Sequence, residues 1–90
     1  MNARTLKALH GSIIKWAKIV AGTGVNHGST NCPLCKLFLD NDCKGCPVFI
    51  KTGLNSCIDT PYEDYIESSS LKARARHALA ELKFLTKLLP

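Results

Sequence analysis

Four cysteines in two C-x-x-C pairs are the residues best able to do chemistry in this 90-residue chain. Cys32 and Cys35 enclose Pro-Leu, Cys43 and Cys46 enclose Lys-Gly, and seven residues separate the pairs. A C-x-x-C turn can direct two sulfurs at one point, so two such turns can supply four tetrahedral thiolates to zinc. A zinc ribbon usually has a longer spacer, about 15–20 residues, but seven residues can close as one helical turn and a loop. The first prediction is therefore a four-cysteine Zn²⁺ site.

Cys57 and His27 could extend or change this ligand set. Cys57 lies eleven residues beyond Cys46, so it could replace one of the four ligands, pack as a buried thiol or take part in redox chemistry. We expect it to be buried near the other four cysteines.

Two further interpretations of the cysteines stay open. An iron–sulfur cluster also takes four thiolates, with Cys32, Cys35, Cys46 and Cys57 as one ligand set, although the closely spaced run of a ferredoxin is missing. Thiol–disulfide exchange is the other, because CPLC at a helix start favours a thiolate. The βαβ context of a thioredoxin-like motif is absent, however. An odd cysteine count leaves one thiol over in any disulfide scheme.

Helices must position these cysteines, because no segment alternates polar and apolar residues for the length of a strand. Apolar residues at steps of three and four predict an amphipathic helix over 3–20 and a helical region over 61–89, the latter with an apolar stripe from Leu71 to Leu89. Proline after a cysteine predicts short helices at 33–39 and 47–51. Thr60-Pro61-Tyr62-Glu63 predicts a capping box. The fold class is mainly α: one metal-stapled domain over 1–90, with a double C-x-x-C knuckle at 32–57 between two longer helices.

Composition and motifs argue against an enzyme and a membrane protein. Apolar residues make up 46% and charged residues 21% of the chain, which is typical of a globular domain. No run approaches the roughly 18 apolar residues of a membrane span, and the lysine-interrupted N-terminal segment lacks the clean apolar stretch of an export signal. We therefore expect a cytoplasmic location.

His10, His27 and His77 are scattered, and no nucleophile elbow, P-loop or H-E-x-x-H motif is present. The sequence predicts no catalytic residues.

The cysteine segment resembles small cysteine-rich proteins of tailed phages and prophages. The resemblance rests on CPLC at 32–35, CKGCP at 43–47, Thr52-Gly53, Cys57 and TPY at 60–62, and covers about residues 27–90. It implies a viral or prophage origin, and hence the host cytoplasm, but no particular activity.

Two kinds of partner remain. Docking on a host or viral protein would use aromatic anchors such as Trp16 and Phe84, because aromatic residues dominate interface energetics, although each is individually more typical of a core residue. Nucleic-acid binding would use the N-terminal basic face, with Lys7, Lys15 and Lys18, since residues 1–31 hold four basic and no acidic side chains. Lysines opposite an apolar stripe are usually only a solvated helix face. The prediction slightly favours a protein partner.

Overall fold

The computed structural model, which describes residues 1–54 and 57–90, is mainly helical. Two 3₁₀ turns, Gly28–Asn31 and Leu39–Asn41, supplement its five α-helices. The described residues contain no strand, so the predicted helical class is confirmed. The α-helices are α1 (Ala3–Val20), α2 (Pro33–Phe38), α3 (Pro47–Thr52), α4 (Pro61–Glu67) and α5 (Leu71–Thr86).

Helix α1 has the bounds that the sequence predicts. Its first turn is capped by Asn2, whose side chain accepts a hydrogen bond from the Thr5 amide at 2.8 Å. The cap satisfies one of the amides that a helix start leaves without a partner. Leu9 and Trp16, both on the predicted apolar stripe, are 0% and 2% exposed. This face of α1 therefore forms the centre of the core.

The predicted C-terminal helical region is two helices, because the serines at 68–70 interrupt it. The Ser70 hydroxyl accepts a hydrogen bond from the Ala73 amide at 3.1 Å and so caps α5. Ser, as an N-cap, favours a new helix start over continuation of α4. The predicted apolar stripe holds at Ala78 and Leu85, which are buried, but is wrong at Leu71 and Leu79, which are 83% and 41% exposed, and at Ala75, which is also exposed. The first turn of α5 extends beyond the core.

The start of α4 differs from the predicted capping box. Pro61 occupies the first turn as expected, but the Thr60 side chain forms no capping hydrogen bond. Its hydroxyl donates instead to the Cys57 carbonyl at 2.6 Å, and Glu63 accepts from the Asp59 amide at 2.8 Å. The Thr60 hydroxyl does not cap α4 because the Cys57 carbonyl, in the preceding loop, accepts its hydrogen bond. This contact links α4 to the cysteine segment.

The helices pack unequally. Helix α1 lies against α5 and α2, and α4 lies against α5, whereas α3 packs extensively against no other helix in the described parts of the chain. Gly11 allows α2 to approach α1, since a Cβ atom there would lie 2.9 Å from Pro33 Cγ. None of the helices in residues 1–54 and 57–90 is long and apolar enough to cross a membrane.

Candidate metal centre

All five cysteines line a single cavity of about 260 Å³. Each has a free thiol, and Cys43 and Cys46 are buried while the other three are half-buried. The cavity wall is otherwise largely apolar and includes Trp16, Leu34, Phe38, Val48 and Leu85. The fold thus brings together sulfurs that span 26 positions of the sequence, and it does so at the junction of the cysteine segment with the core.

Cys32 and Cys35 occupy the start of α2. The Cys32 sulfur accepts a hydrogen bond from the Cys35 amide at 3.3 Å and caps the helix. A hydrogen bond between the two side chains lowers the pKa of Cys32 and raises the pKa of Cys35. The pair is therefore asymmetric: Cys32 gives up its proton more readily, and Cys35 holds the shared proton.

A tight turn presents Cys43 and Cys46. Cys43 has a left-handed backbone, with φ of 64°, and its carbonyl accepts a hydrogen bond from the Cys46 amide at 3.0 Å. Gly45 has φ of 91°, and a Cβ atom there would lie 3.0 Å from Phe38 Cε1. Glycine fits both requirements, a positive φ and a close approach to an aromatic ring. Burial raises the pKa of the Cys46 thiol.

Cys57 faces the cavity from the loop before α4. It also has a left-handed backbone, with φ of 58°, and burial raises its pKa to about 12. A left-handed conformation costs a residue other than glycine about 1–3 kcal/mol. The fold thus holds two of its five cysteines, Cys43 and Cys57, in a costly backbone conformation at the cavity wall.

Two charged residues, Glu81 and Lys15, line the cavity wall; the sequence analysis did not single out Glu81 and assigned Lys15 to a basic face. Glu81 of α5 is 3% exposed, and its Oε1 atom has no hydrogen-bond partner among the described residues. Burial raises its pKa to about 7. A signal was available, because Glu81 lies three residues after Ala78 and four before Leu85, on the inner face of its helix.

Lys15 is the second such residue, and its position bears on the predicted basic face. Its Nζ atom donates to Asn26 Oδ1 at 2.9 Å and lies 5.3 Å from the centre of the Trp16 ring. Partial burial lowers its pKa. Lys7 and Lys18 are exposed, but Lys15 is half-buried at the cavity. The three lysines therefore do not share one solvated face.

The predicted aromatic anchors lie in or against the core. Trp16 is 2% exposed and packs edge-on against Tyr62 and Tyr65, with ring centres 5.8 and 5.0 Å away. Phe84 is half-buried against the same core. The ring of Trp16 joins α1 to α4 and is not exposed to a partner. His27 is exposed and lies just before the first 3₁₀ turn.

The cysteines face one cavity without meeting at one point. In the described residues, no three cysteine, histidine, aspartate or glutamate side chains are arranged to bind one metal ion. The site as folded is one cavity lined by five thiols and by Glu81.

Comparison of the chain with protein-family models, curated proteins and solved structures finds no match. The chemistry of the cavity is therefore the basis on which a function can be proposed.

Proposed function

We propose that this protein is a small non-enzymatic binding protein, built around a thiolate-held metal centre, that docks on a host or viral protein. The observation that carries the proposal is the convergence of all five cysteines on one cavity. In a reducing cytosol, clustered cysteines are more often metal ligands or redox groups than structural disulfides. Zinc and an iron–sulfur cluster are the two thiolate-bound groups that the spacing allows.

The packing of α3 supports a structural role for the metal. This helix follows Cys46 directly and lacks extensive contact with the other helices in the described parts of the chain. Bonds from Cys46 and its neighbours to a shared metal would tie α3 to α2 and to the loop before α4. A metal bound only by the folded chain contributes its binding free energy to folding.

The polar groups around the cavity support the same role. Burial disfavours thiolates at Cys46 and Cys57, and a bound cation would reverse that preference, since a coordinating thiol loses its proton. The Lys15 ammonium group lies at the cavity wall and offsets part of the negative charge that several thiolates bring.

Docking on a protein would use apolar side chains at the surface. Ile50 and Leu71 are 72% and 83% exposed, and Ile66 is 53% exposed. They lie on three different helices, α3, α5 and α4, and a docking surface would need some of them to be contiguous. Nucleic-acid binding is the second candidate, because Lys72, Arg74 and Arg76 of α5 are exposed, although Lys15 of the predicted basic face is engaged at the cavity.

Metal analysis combined with a stability measurement tests the metal centre. The full chain, purified without added metal and without chelator, should contain zinc or iron bound through cysteine. Replacing Cys46 with serine should lower the metal content and the melting temperature together. Ser29→Ala is the matched control, because Ser29 is exposed and lines the same cavity without a thiol. A metal-free wild-type chain whose melting is unchanged by added zinc or by cluster reconstitution would contradict the proposal.

Anisotropy with mixed-sequence DNA and RNA tests the mode of binding. A protein-docking function predicts no substantial binding even at low salt. Binding that weakens by orders of magnitude between low and physiological salt, and that is lost in a Lys7→Glu, Lys18→Glu variant, would indicate a nucleic-acid function instead.

A further inference from the structure

The size and ligand layout of the cavity distinguish between the two metal centres that the cysteines allow. A tetrahedral zinc site with Zn–S distances of about 2.3 Å places its four sulfurs only about 3.8 Å apart. No three donor side chains of the described residues are gathered in this way around one ion. The Cys32 and Cys35 side chains are hydrogen-bonded to each other, but the five thiols together line a cavity of about 260 Å³, whereas one water molecule needs about 10–15 Å³ of such space. A single ion would leave most of this volume empty.

The donors and walls fit a larger, sulfur-rich group. Iron–sulfur clusters are held by cysteine thiolates, and burial and hydrogen bonds to the sulfurs tune their potentials. Here five thiols face the cavity, one more than a four-iron cluster needs, and Trp16, Phe38 and Val48 contribute apolar parts of its wall. Cys32 and Cys46 are each followed by proline, which starts a helix directly after the ligand. Two separate helix starts thus deliver sulfur to one space.

We infer that the cavity binds a polynuclear iron–sulfur cluster through four of the five cysteine thiolates. This inference rests on the proposed metal-centre function and specifies its occupant. Binding is a ligand exchange that leaves the oxidation state of iron unchanged. Four thiol protons pass to solvent, four iron–thiolate bonds form, and the four bonds that held iron to its previous ligands break.

The fifth thiol and Glu81 make the site richer in donors than the cluster requires. Glu81 lines the same cavity, and its Oε1 atom is buried without a hydrogen-bond partner among the described residues. Since carboxylates bind iron less strongly than thiolates do in sulfur-rich sites, Glu81 is a neighbour of the cluster, not one of its four ligands. Glu81→Gln should therefore retain the cluster, whereas most cysteine variants should not.

Anaerobic purification of the full chain, followed by spectroscopy and metal analysis, tests the inference. The expected product is brown, with broad visible absorption and equal amounts of iron and acid-labile sulfide, two or more of each per chain. Among the five Cys→Ser variants, four should lose the visible absorption and one should keep it. Ser29→Ala and Glu81→Gln should keep it as well. The wild-type spectrum decides the matter even if the cysteine variants fail to fold.

Other outcomes overturn the inference and separate it from the proposal on which it rests. A colourless protein holding one zinc per chain, or one iron without sulfide, would overturn the cluster and leave the metal centre in place. A protein that takes up neither zinc nor a reconstituted cluster, and melts identically with and without them, would overturn both.

Discussion

The two halves of this molecule are stabilised in different ways. Helices α1, α4 and α5 pack through apolar and aromatic side chains, with Trp16 in contact with both Tyr62 and Tyr65. The segment that holds α2 and α3 has two six-residue helices and four of the five cysteines. Between the helices, Asp42, Cys43 and Gly45 have positive φ. A chain of 90 residues buries a thin core, to which both halves contribute: Leu9, Trp16, Ala78 and Leu85 from one, and Leu34, Cys43, Cys46 and Val48 from the other. Two of these four residues in the cysteine half are thiols, so we expect a metal cross-link to add most stability there.

Metal removal should produce the largest difference in stability between the two halves. A metal centre bound only by the folded chain contributes its binding free energy to folding, so amides of α2 and α3 should lose hydrogen-exchange protection by orders of magnitude. Amides in the centres of α1 and α5 should lose much less. The measurement is hydrogen exchange by NMR before and after anaerobic chelation under reducing conditions. Equal loss throughout the chain would show that both halves unfold as one unit.

Trp16→Ala should destabilise the half that holds α1, α4 and α5 more than the cysteine half. Removing a buried tryptophan costs about 3–5 kcal/mol, and the two edge-on aromatic contacts are lost with it. We expect a large decrease in the urea midpoint and early melting of α1 and α4. His10→Ala, an exposed position on the same helix, is the control. A Trp16 variant as stable as that control would contradict the assignment of the core.

Glu81→Gln should change how stability depends on pH in the metal-free, reduced protein. Burial raises the folded-state pKa of Glu81 from 4.5 to about 7, so the folded chain binds this proton more tightly than the unfolded chain. The resulting stabilisation is complete below the unfolded pKa and is lost as pH rises through the folded value, by about 3 kcal/mol at most. Urea denaturation at pH 4.5 and 7.5 measures it.

The glutamine variant should lack this part of the pH dependence, while Glu67→Gln, at an exposed position, should keep it. Thiol titration affects the stability of the variant and the wild type alike, so its contribution cancels when the two are compared. If the free energy of unfolding changes with pH in the same way in wild type and Glu81→Gln, the burial of the Glu81 carboxyl group is contradicted.

Gly45→Ala should destabilise the cysteine half by a smaller amount. A left-handed backbone costs alanine about 1–2 kcal/mol, and the added Cβ would also press on Phe38 Cε1 at 3.0 Å. Gly53→Ala is the matched control, since φ is 75° there but no atom lies within 4 Å of the added Cβ. Thermal melting should rank Gly45→Ala below Gly53→Ala, and the reverse order would contradict the close approach of the ring.

Local signals explain what the sequence could predict. The bounds of α1 follow from apolar spacing and the glycines after it, and the starts of α2, α3 and α4 follow from prolines, because each signal acts within a few residues. The break at 68–70 was harder to predict, since serines both weaken a helix and cap a new one.

The cavity depends on longer-range geometry, which is why only part of it was predictable. Cysteine spacing indicated a shared site, but the burial of Glu81 and Lys15 depends on where α5 and α1 meet the cysteine segment. The left-handed backbones of Cys43 and Cys57 could not be predicted either, because the residue type cysteine does not indicate that conformation. Whether a metal occupies the site stays a prediction.

Gly11 has a consequence that extends beyond α1. Considered alone, a glycine in mid-helix costs about 1 kcal/mol relative to alanine. Here alanine would instead meet the ring of Pro33, the residue that follows Cys32. Any larger side chain at position 11 would increase the distance between α1 and α2 and move the Cys32 thiol away from the core. The effect of substitutions at this position therefore shows how strictly the spacing of α1 and α2 determines the position of the Cys32 sulfur.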